Sequence, residues 1–254
     1  MNADVPIAEL LAIMLGAVRA GAWMMICPPF NSRMIPGPVK ALLSVGIALP
    51  MAPYLRGTLP SIETSEIIAC AALQVFIGAA LGFITALLFA ALQAAGDLID
   101  VFGGFTLAMA FDPLSLSQSS IFGRFYNLVA ITLLFATEGH QLVLRGFLQS
   151  YEALPLNAMF SMETFSKLLI EGIGEMFLAA LQIAGPLIAV LFLTDVAFGL
   201  LNRVAPALNA FQLGFPAKIF LVLTLSGTAI AMLPGALDAI VDKAVSAVVQ
   251  LTGG

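Results

Sequence analysis

The chain has 254 residues, 61% of them hydrophobic and 10% charged, with a formal net charge of −5. A soluble domain carries roughly a quarter charged residues, so with a mean hydropathy of +1.05 the membrane class comes first. Only ten Lys and Arg are present, which makes nucleic acid a poor partner. Cys27 and Cys70 form neither a CxxC pair nor a disulfide framework and are expected as buried thiols.

The N-terminal stretch MNADVPIAELLAIMLGAVRAGAWMMICPP has no basic leader and places Asp4 and Glu9 first. It reads as a retained membrane helix over 7–26, not a cleaved signal peptide. Further apolar runs occupy 39–53, 67–95, 124–151, 168–201 and 214–233, and an amphipathic stretch follows at 236–251. The breaks are CPPFNSRMIPGP, APYLRGTLPS, MAFDPLSLSQSSIFGRF, EALPLNAMFSME and LNRVAPALNAFQLGFP, whose prolines and glycines stop helices and re-aim the chain. The pattern predicts an all-α, multi-helix integral membrane protein.

The run lengths are uneven. A helix crosses the hydrocarbon core with about 20 residues, so 39–53 is too short. The runs 67–95 and 168–201 would reach about 40–50 Å at ~1.5 Å per residue, and Pro186 is a place for the second to kink or split. Helices wrapped by other protein explain this excess better than tilt alone, which points to a subunit of an assembly. With six crossings and the acidic N-terminus outside, Arg33, Lys40, Arg124, Arg203 and Lys218 fall on the cytoplasmic side. Arg56, Lys167 and Lys243 fall opposite, a bias in the expected direction.

Polar residues inside apolar runs are candidates for function. Asp195 sits in AVLFLTDVAFGLLNR, where a carboxylate at bilayer depth costs about 2.5–3.5 kcal/mol on insertion scales. A hydrogen bond to a partner helix and a proton-relay role are both open. In GRFYNLVAITLLFATEGHQLVLRGFLQSY, Asn127, Ile131, Leu134, Glu138, Gln141, Arg145 and Leu148 follow three-four spacing, so a single helix would align them on one face. Gln141 could then bridge Glu138 and Arg145, and neighbouring helices would satisfy these buried groups. His140, the only histidine, has no second ligand at metal spacing. No HExxH or GxSxG is present, so neither an enzyme nor a metal or other cofactor is expected.

DLIDVFGGFTLAMAF precedes the serine-rich break. Gly103-Gly104 would loosen a helix by about 1 kcal/mol per glycine relative to alanine. An interfacial helix with Asp97 and Asp100 at its wet start is one reading. The other is a pliable ring of Phe102, Phe105, Met109 and Phe111 beside a channel, since methionine and phenylalanine seal against varied shapes.

Three stretches together resemble the FliR family of flagellar type III export-gate membrane proteins. MLGAVRAGAWMMICPPFNSRMIPGPVKALLSVGIAL resembles the family's opening, with its P-x-F-x-S/N-R-x-[IV]-P turn at 28–36. FDPLSLSQSSIFGRFYNLVAITLLFATEGHQLVLRGFLQSYEALPL is similar to its central region, with the DP dipeptide at Asp112-Pro113. PLIAVLFLTDVAFGLLNRVAPALNAFQLGFPAKI carries the most diagnostic pattern, with Asn202, Arg203, Pro206, Asn209, Phe211, Gly214, Phe215, Pro216 and Lys218. The central helix often reads N-G-H in the family, where Glu138-Gly139-His140 stands here. Injectisome homologues share the pattern but tend to lack G-F-P, so Gly214-Phe215-Pro216 tilts toward the flagellar branch.

The resemblance implies one export-gate subunit over 1–254, FliP-like over about 1–165 and a FliQ-like hairpin plus amphipathic helix over about 166–254. Its implied partners are FliP-like and FliQ-like subunits, FlhB-like and FlhA-like components, unfolded flagellar export substrates and the lipid of the bacterial inner membrane at the flagellar base. It also implies that loop 110–121 plugs the channel. Phe105, Met109 and Phe111 would then be the gasket, and Asp112, Pro113, Ser115, Ser117 and Ser119 part of the plug. Asn202, Arg203, Pro206, Asn209, Gly214, Phe215, Pro216 and Lys218 would form a partner-contact turn, with an ordinary interhelical loop held by Pro206 and Pro216 as the plain alternative. A scaffold without a moving part is a rival. So is a secondary transporter using Asp195, Pro186 and Glu138 at a midplane site.

Overall fold

The computed structural model describes residues 4–61, 63–106, 120–157, 162–206, 212–227 and 235, and among these no strand occurs. The helices are, in order, α1 (Asp4–Ile26), α2 (Gly37–Ala48), α3 (Ala52–Leu55), α4 (Thr64–Gly103), α5 (Ile121–Ala136), α6 (Gly139–Ala153), α7 (Met162–Val204) and α8 (Gln212–Gly227). Among the described residues four helices are long and apolar enough to cross a membrane, or five if the broken pair α5–α6 counts as one span. The all-α membrane architecture expected from the apolar runs is therefore present.

Three details differ from the sequence expectation. The run 39–53 is not too short, because α2, a 3-10 turn, α3 and a second 3-10 turn make one 22-residue path over Gly37–Thr58. Pro50 and Pro53 each stand at the start of their segment, where a missing N–H leaves fewer bonds unmade. Pro186 does not split α7, which continues through it. α4 and α7 contain 40 and 43 residues. At ~1.5 Å per residue they are about 60 Å and 65 Å long, twice the ~30 Å hydrocarbon core.

The third difference is a break. α5 ends at Ala136 with Thr137 as its C-cap, and Glu138 takes a left-handed φ of 58°. That conformation closes a helix end, and it is uncommon and strained for a residue with a Cβ. The seven residues from Asn127 to Leu148 therefore do not line one face. Gln141 Nε2 still donates to Glu138 Oε2 at 3.4 Å, but Glu138, Gln141 and Arg145 are exposed on this chain. Burial of Glu138 and Arg145, expected from their place in an apolar run, is corrected accordingly.

The chain forms two compact units. Met1–Leu88 and Glu138–Gly172 belong to the first, Phe89–Thr137 and Ile173–Ile240 to the second. The boundary expected near residue 165 falls inside α7.

In the first unit α1, α4 and α6 meet closely. Gly78 and Gly82, one turn apart on α4, let the backbone of α1 approach, as small residues do between membrane helices. A Cβ at Gly78 would run into the Arg19 carbonyl, and one at Gly82 would lie 2.9 Å from the Trp23 carbonyl. Trp23 stacks on Phe147 with ring centroids 4.4 Å apart. Cys27 and Cys70 are buried free thiols, as expected.

At the centre of this packing lies Arg19, 0% exposed. Its Nε donates to Gln74 Oε1 at 2.7 Å, Nη1 to the Ser150 carbonyl at 2.9 Å and Nη2 to the Leu154 carbonyl at 2.7 Å. The guanidinium also lies 4.7 Å from the Tyr151 ring centroid, whose hydroxyl donates to the Gly16 carbonyl at 2.7 Å. The charge thus meets the carbonyl end of α6, where a cation is favoured by the helix dipole. A planar fork suits three acceptors fixed in different directions.

Candidate functional site

The second unit contains the described residues on both sides of the segment 107–119. On the near side α4 closes at Gly103, and Gly104 takes φ 83°, which glycine adopts without strain. Its N–H donates to the Val101 carbonyl at 3.4 Å. On the far side Ser120 is the N-cap of α5, and its Oγ accepts from the Gly123 N–H at 2.8 Å. That bond satisfies one of the donors a helix start leaves free.

Asp100 joins the two sides. It is 1% exposed. Its Oδ2 accepts from the Ser120 hydroxyl and from the Phe122 N–H at 3.0 Å. A carboxylate here meets the positive end of the α5 dipole. No donor among the described residues reaches Asp100 Oδ1. Contrary to the wet-start reading, Asp97 and Asp100 stand in the last turns of α4, with Asp97 half-buried. The physical reason is that α5 supplies Asp100 with polar partners that water would otherwise provide.

Close approach makes this possible. A Cβ at Gly96 would run into the Phe122 carbonyl, and one at Gly123 would strike Asp97 Oδ1. Asn127 Nδ2 donates to Gln93 Oε1 at 3.2 Å, two turns along. Phe105 and Phe122 meet edge to face at 5.3 Å.

A cation meets the opposite helix end. Lys218 Nζ, from α8, donates to the Phe102 carbonyl at 3.3 Å, in the last turn of α4, where carbonyls lack helical donors. The same ammonium pairs with Asp195 Oδ1 of α7 at 2.5 Å. Phe215 lies against Gly104 and Val222 against Gly103. Charges of the sign each helix dipole favours therefore meet the end of α4 and the start of α5.

The comparisons with known proteins agree on the family. A family model described as bacterial export proteins, family 1, matches residues 10–244. The chain is similar to the flagellar biosynthetic protein FliR of Bacillus subtilis strain 168, 32% identical over 215 residues, 82% of each chain. It is similar to that of Pectobacterium carotovorum subsp. carotovorum, 33% identical over 222 residues, 85% of this chain and 83% of the relative. The Escherichia coli K12 protein of the same name is 30% identical over 203 residues, 80% of this chain and 77% of the relative. The chain belongs to the FliR family.

Within this FliR-family chain the residues singled out from sequence divide. Phe105 is half-buried just beyond the end of α4. Met109, Phe111, Asp112, Pro113, Ser115, Ser117, Ser119 and Asn209 lie outside the described residues. Asn202, Arg203, Pro206 and Pro216 are exposed, Gly214 is buried, and Phe215 is half-buried. Pro216 stands inside α8, so it does not hold the interhelical loop as the plain alternative supposed. The Lys218 side chain is turned inward, 17% exposed, onto α4 and α7. Asp195, expected to be buried, has a half-exposed side chain, and its cation comes from α8 of its own chain. Among the described residues no group of three His, Cys, Asp or Glu is placed to hold a metal ion.

Arg19, Gln74, Gly96, Asp100 and Ser120 were missed as a set. The available signals were an arginine inside an apolar run and a GxxxG spacing on α4. For Asp100 the only signal was a carboxylate shortly before a Gly-Gly pair.

Proposed function

We propose that this FliR-family chain is a core subunit of the flagellar type III protein export gate in the bacterial inner membrane, at the base of the basal body. It assembles with FliP-like and FliQ-like subunits around the path taken by unfolded flagellar proteins, and FlhB-like and FlhA-like components act on that core. The division into a FliP-like part and a FliQ-like hairpin belongs to the same proposal. The flagellar names of the relatives support this branch over an injectisome.

Loop 110–121 is the plug in this reading, with Phe105, Met109 and Phe111 as gasket. The observation that carries it is the foot of the loop, where Asp100 holds Ser120 and Phe122, and Phe105 meets Phe122. Ends fixed so firmly give a segment that can block a path without detaching. Serines at positions 115, 117 and 119 solvate such a segment with weak bonds only. Asn202, Arg203 and Pro216 remain exposed for a cytoplasmic-side partner, with Arg203 the leading contact.

Deleting Ser115–Ser119 should leave complex abundance unchanged and make resting cells permeable to small ions. Unchanged permeability and unchanged export would refute the plug. Co-purification from membranes should recover FliP-like and FliQ-like partners, and recovery of the chain alone would refute the assembly. A scaffold without a moving part predicts silent deletions together with loss of assembly when the whole chain is absent.

A further inference from the structure

α6, within the first unit, is two-sided. Its inner side is buried: Phe147 stacks on Trp23, Tyr151 reaches the Gly16 carbonyl, and the Ser150 carbonyl accepts from Arg19. Its outer side carries Glu138, Gln141, Arg145, Gln149 and Glu152, all exposed on this chain. Steps of three and four residues set them in one row.

Lipid tails do not accommodate two carboxylates and a guanidinium in a row, because charges at bilayer depth turn to protein or water. A membrane surface is no better a match. Helices that lie there are rich in Lys and Arg on the polar side, and this row has one arginine against two glutamates. Nor does the row pair its own charges, as solvated helices do at three or four residues. Glu138, Arg145 and Glu152 stand seven apart, about 10 Å along a helix, whereas ion pairs close within about 4 Å. A strict seven-residue interval is the one that a second helix follows at a shallow crossing. Leu142, 44% exposed, and the half-buried Leu148 border the row and give such a helix apolar shoulders.

We propose that the outer row of α6 is a docking face for one helix of a different subunit of the export apparatus. That helix carries a row reading basic, acidic, basic at seven-residue intervals, with its acidic group on Arg145. The pattern is the same from either end, so a parallel or an antiparallel helix fits. A second copy of this chain does not supply it. Full overlap of two such rows sets Arg145 on Arg145 and glutamate on glutamate in both directions. A shift of seven residues pairs Arg145 with Glu152 but leaves half the row uncovered. Glu138 lies at the rim, where a charge contributes little, so Arg145 and its neighbours carry the face. This docking face rests on the assembly proposed above.

The test uses cells carrying the whole export apparatus. The photo-cross-linking amino acid p-benzoylphenylalanine replaces Gln149, and R145E, R145Q and R145K are made separately. Light should join position 149 to one other subunit, at a helical segment with an acidic residue seven positions from basic ones. R145E should leave the chain's membrane abundance unchanged, since Arg145 is exposed, and lower recovery of that subunit several-fold. R145K should keep most of the recovery. Export-competent revertants of R145E should replace the facing acidic residue of that subunit with a neutral or basic one. Where R145E does not accumulate, R145Q and the cross-link carry the same readings.

A cross-link from position 149 to lipid, to a second copy of this chain or to nothing overturns the docking face. So does R145E with wild-type recovery. In either case, partner subunits recovered with the wild-type chain leave the assembly standing. A wild-type chain recovered alone overturns the assembly, and the docking face falls with it.

Discussion

Arg19→Met removes the guanidinium while keeping much of the side-chain volume, and its effect follows from what the three acceptors have left. The Ser150 carbonyl still accepts from the Leu154 N–H at 3.0 Å, so it loses one of two partners. The Leu154 carbonyl and Gln74 Oε1 have Arg19 as their donor, and both lie where water does not reach. Leaving a buried acceptor unmade costs about 1–3 kcal/mol, so the two together predict a loss of about 2–6 kcal/mol. Relief from desolvating the cation pulls toward the lower end. Against a typical stability of about 5–15 kcal/mol, that is enough to lower abundance in the membrane. Arg19→Lys keeps the charge but cannot reach three acceptors at once, and should fall between. Thermal unfolding of the detergent-solubilised complex, read beside immunoblotted membrane levels, measures the effect. A methionine variant with wild-type abundance and midpoint would refute the argument that this guanidinium binds α1, α4 and α6 together.

Other expectations can be measured in the same assay. Glu138→Asn should raise the unfolding midpoint by the equivalent of about 1 kcal/mol, because asparagine tolerates the left-handed region better than glutamate. A lower midpoint would place more value on the 3.4 Å bond to Gln141 than its length suggests. Gly96→Ala forces a Cβ against the Phe122 backbone and should cost about 1–3 kcal/mol. Gly46→Ala, with open space around it, should be tolerated, and equal losses at both would refute the close-approach argument. Lys218→Met should destabilise more than the double variant Lys218→Met/Asp195→Asn, because the single change strands a carboxylate in an apolar helix. Purely additive losses would show the 2.5 Å pair to be uncoupled.

Residues that obey a local period were legible in the sequence, and residues whose meaning depends on a distant partner were not. The apolar runs located the long helices, and the P-x-F-x-S/N-R-x-[IV]-P motif falls on the turn between α1 and α2. Asn202 and Arg203, by contrast, lie in α7, and Gly214 to Lys218 in α8. Asp195 and Lys218 were each noted for separate reasons, one as an expensive carboxylate and the other as a contact for another protein. Being 23 positions apart, they carry no local sign of being one pair. Asp100 could be read as the wet start of an interfacial helix, yet it stands in the last turns of α4, where α5 buries it. The break at Glu138 was concealed because neither proline nor glycine occupies that position, and Gly139 marks it only one residue late. Arg19 was legible in principle, since an arginine amid LGAVRAGAW is as costly as Asp195 in its own run.

The bond that joins α4 to α5 also bears on how the chain tolerates inserted residues. Asp100 ties the end of α4 to Ser120 and Phe122 at the start of α5, and the entropy cost of closing the chain between two joined points changes slowly with its length. Doubling such a segment costs only about 0.6 kcal/mol. Folding of the helices is therefore expected to be nearly indifferent to chain length added between α4 and α5. That marks the stretch between the two helices as the place to insert an epitope or reporter peptide at least cost to the helices.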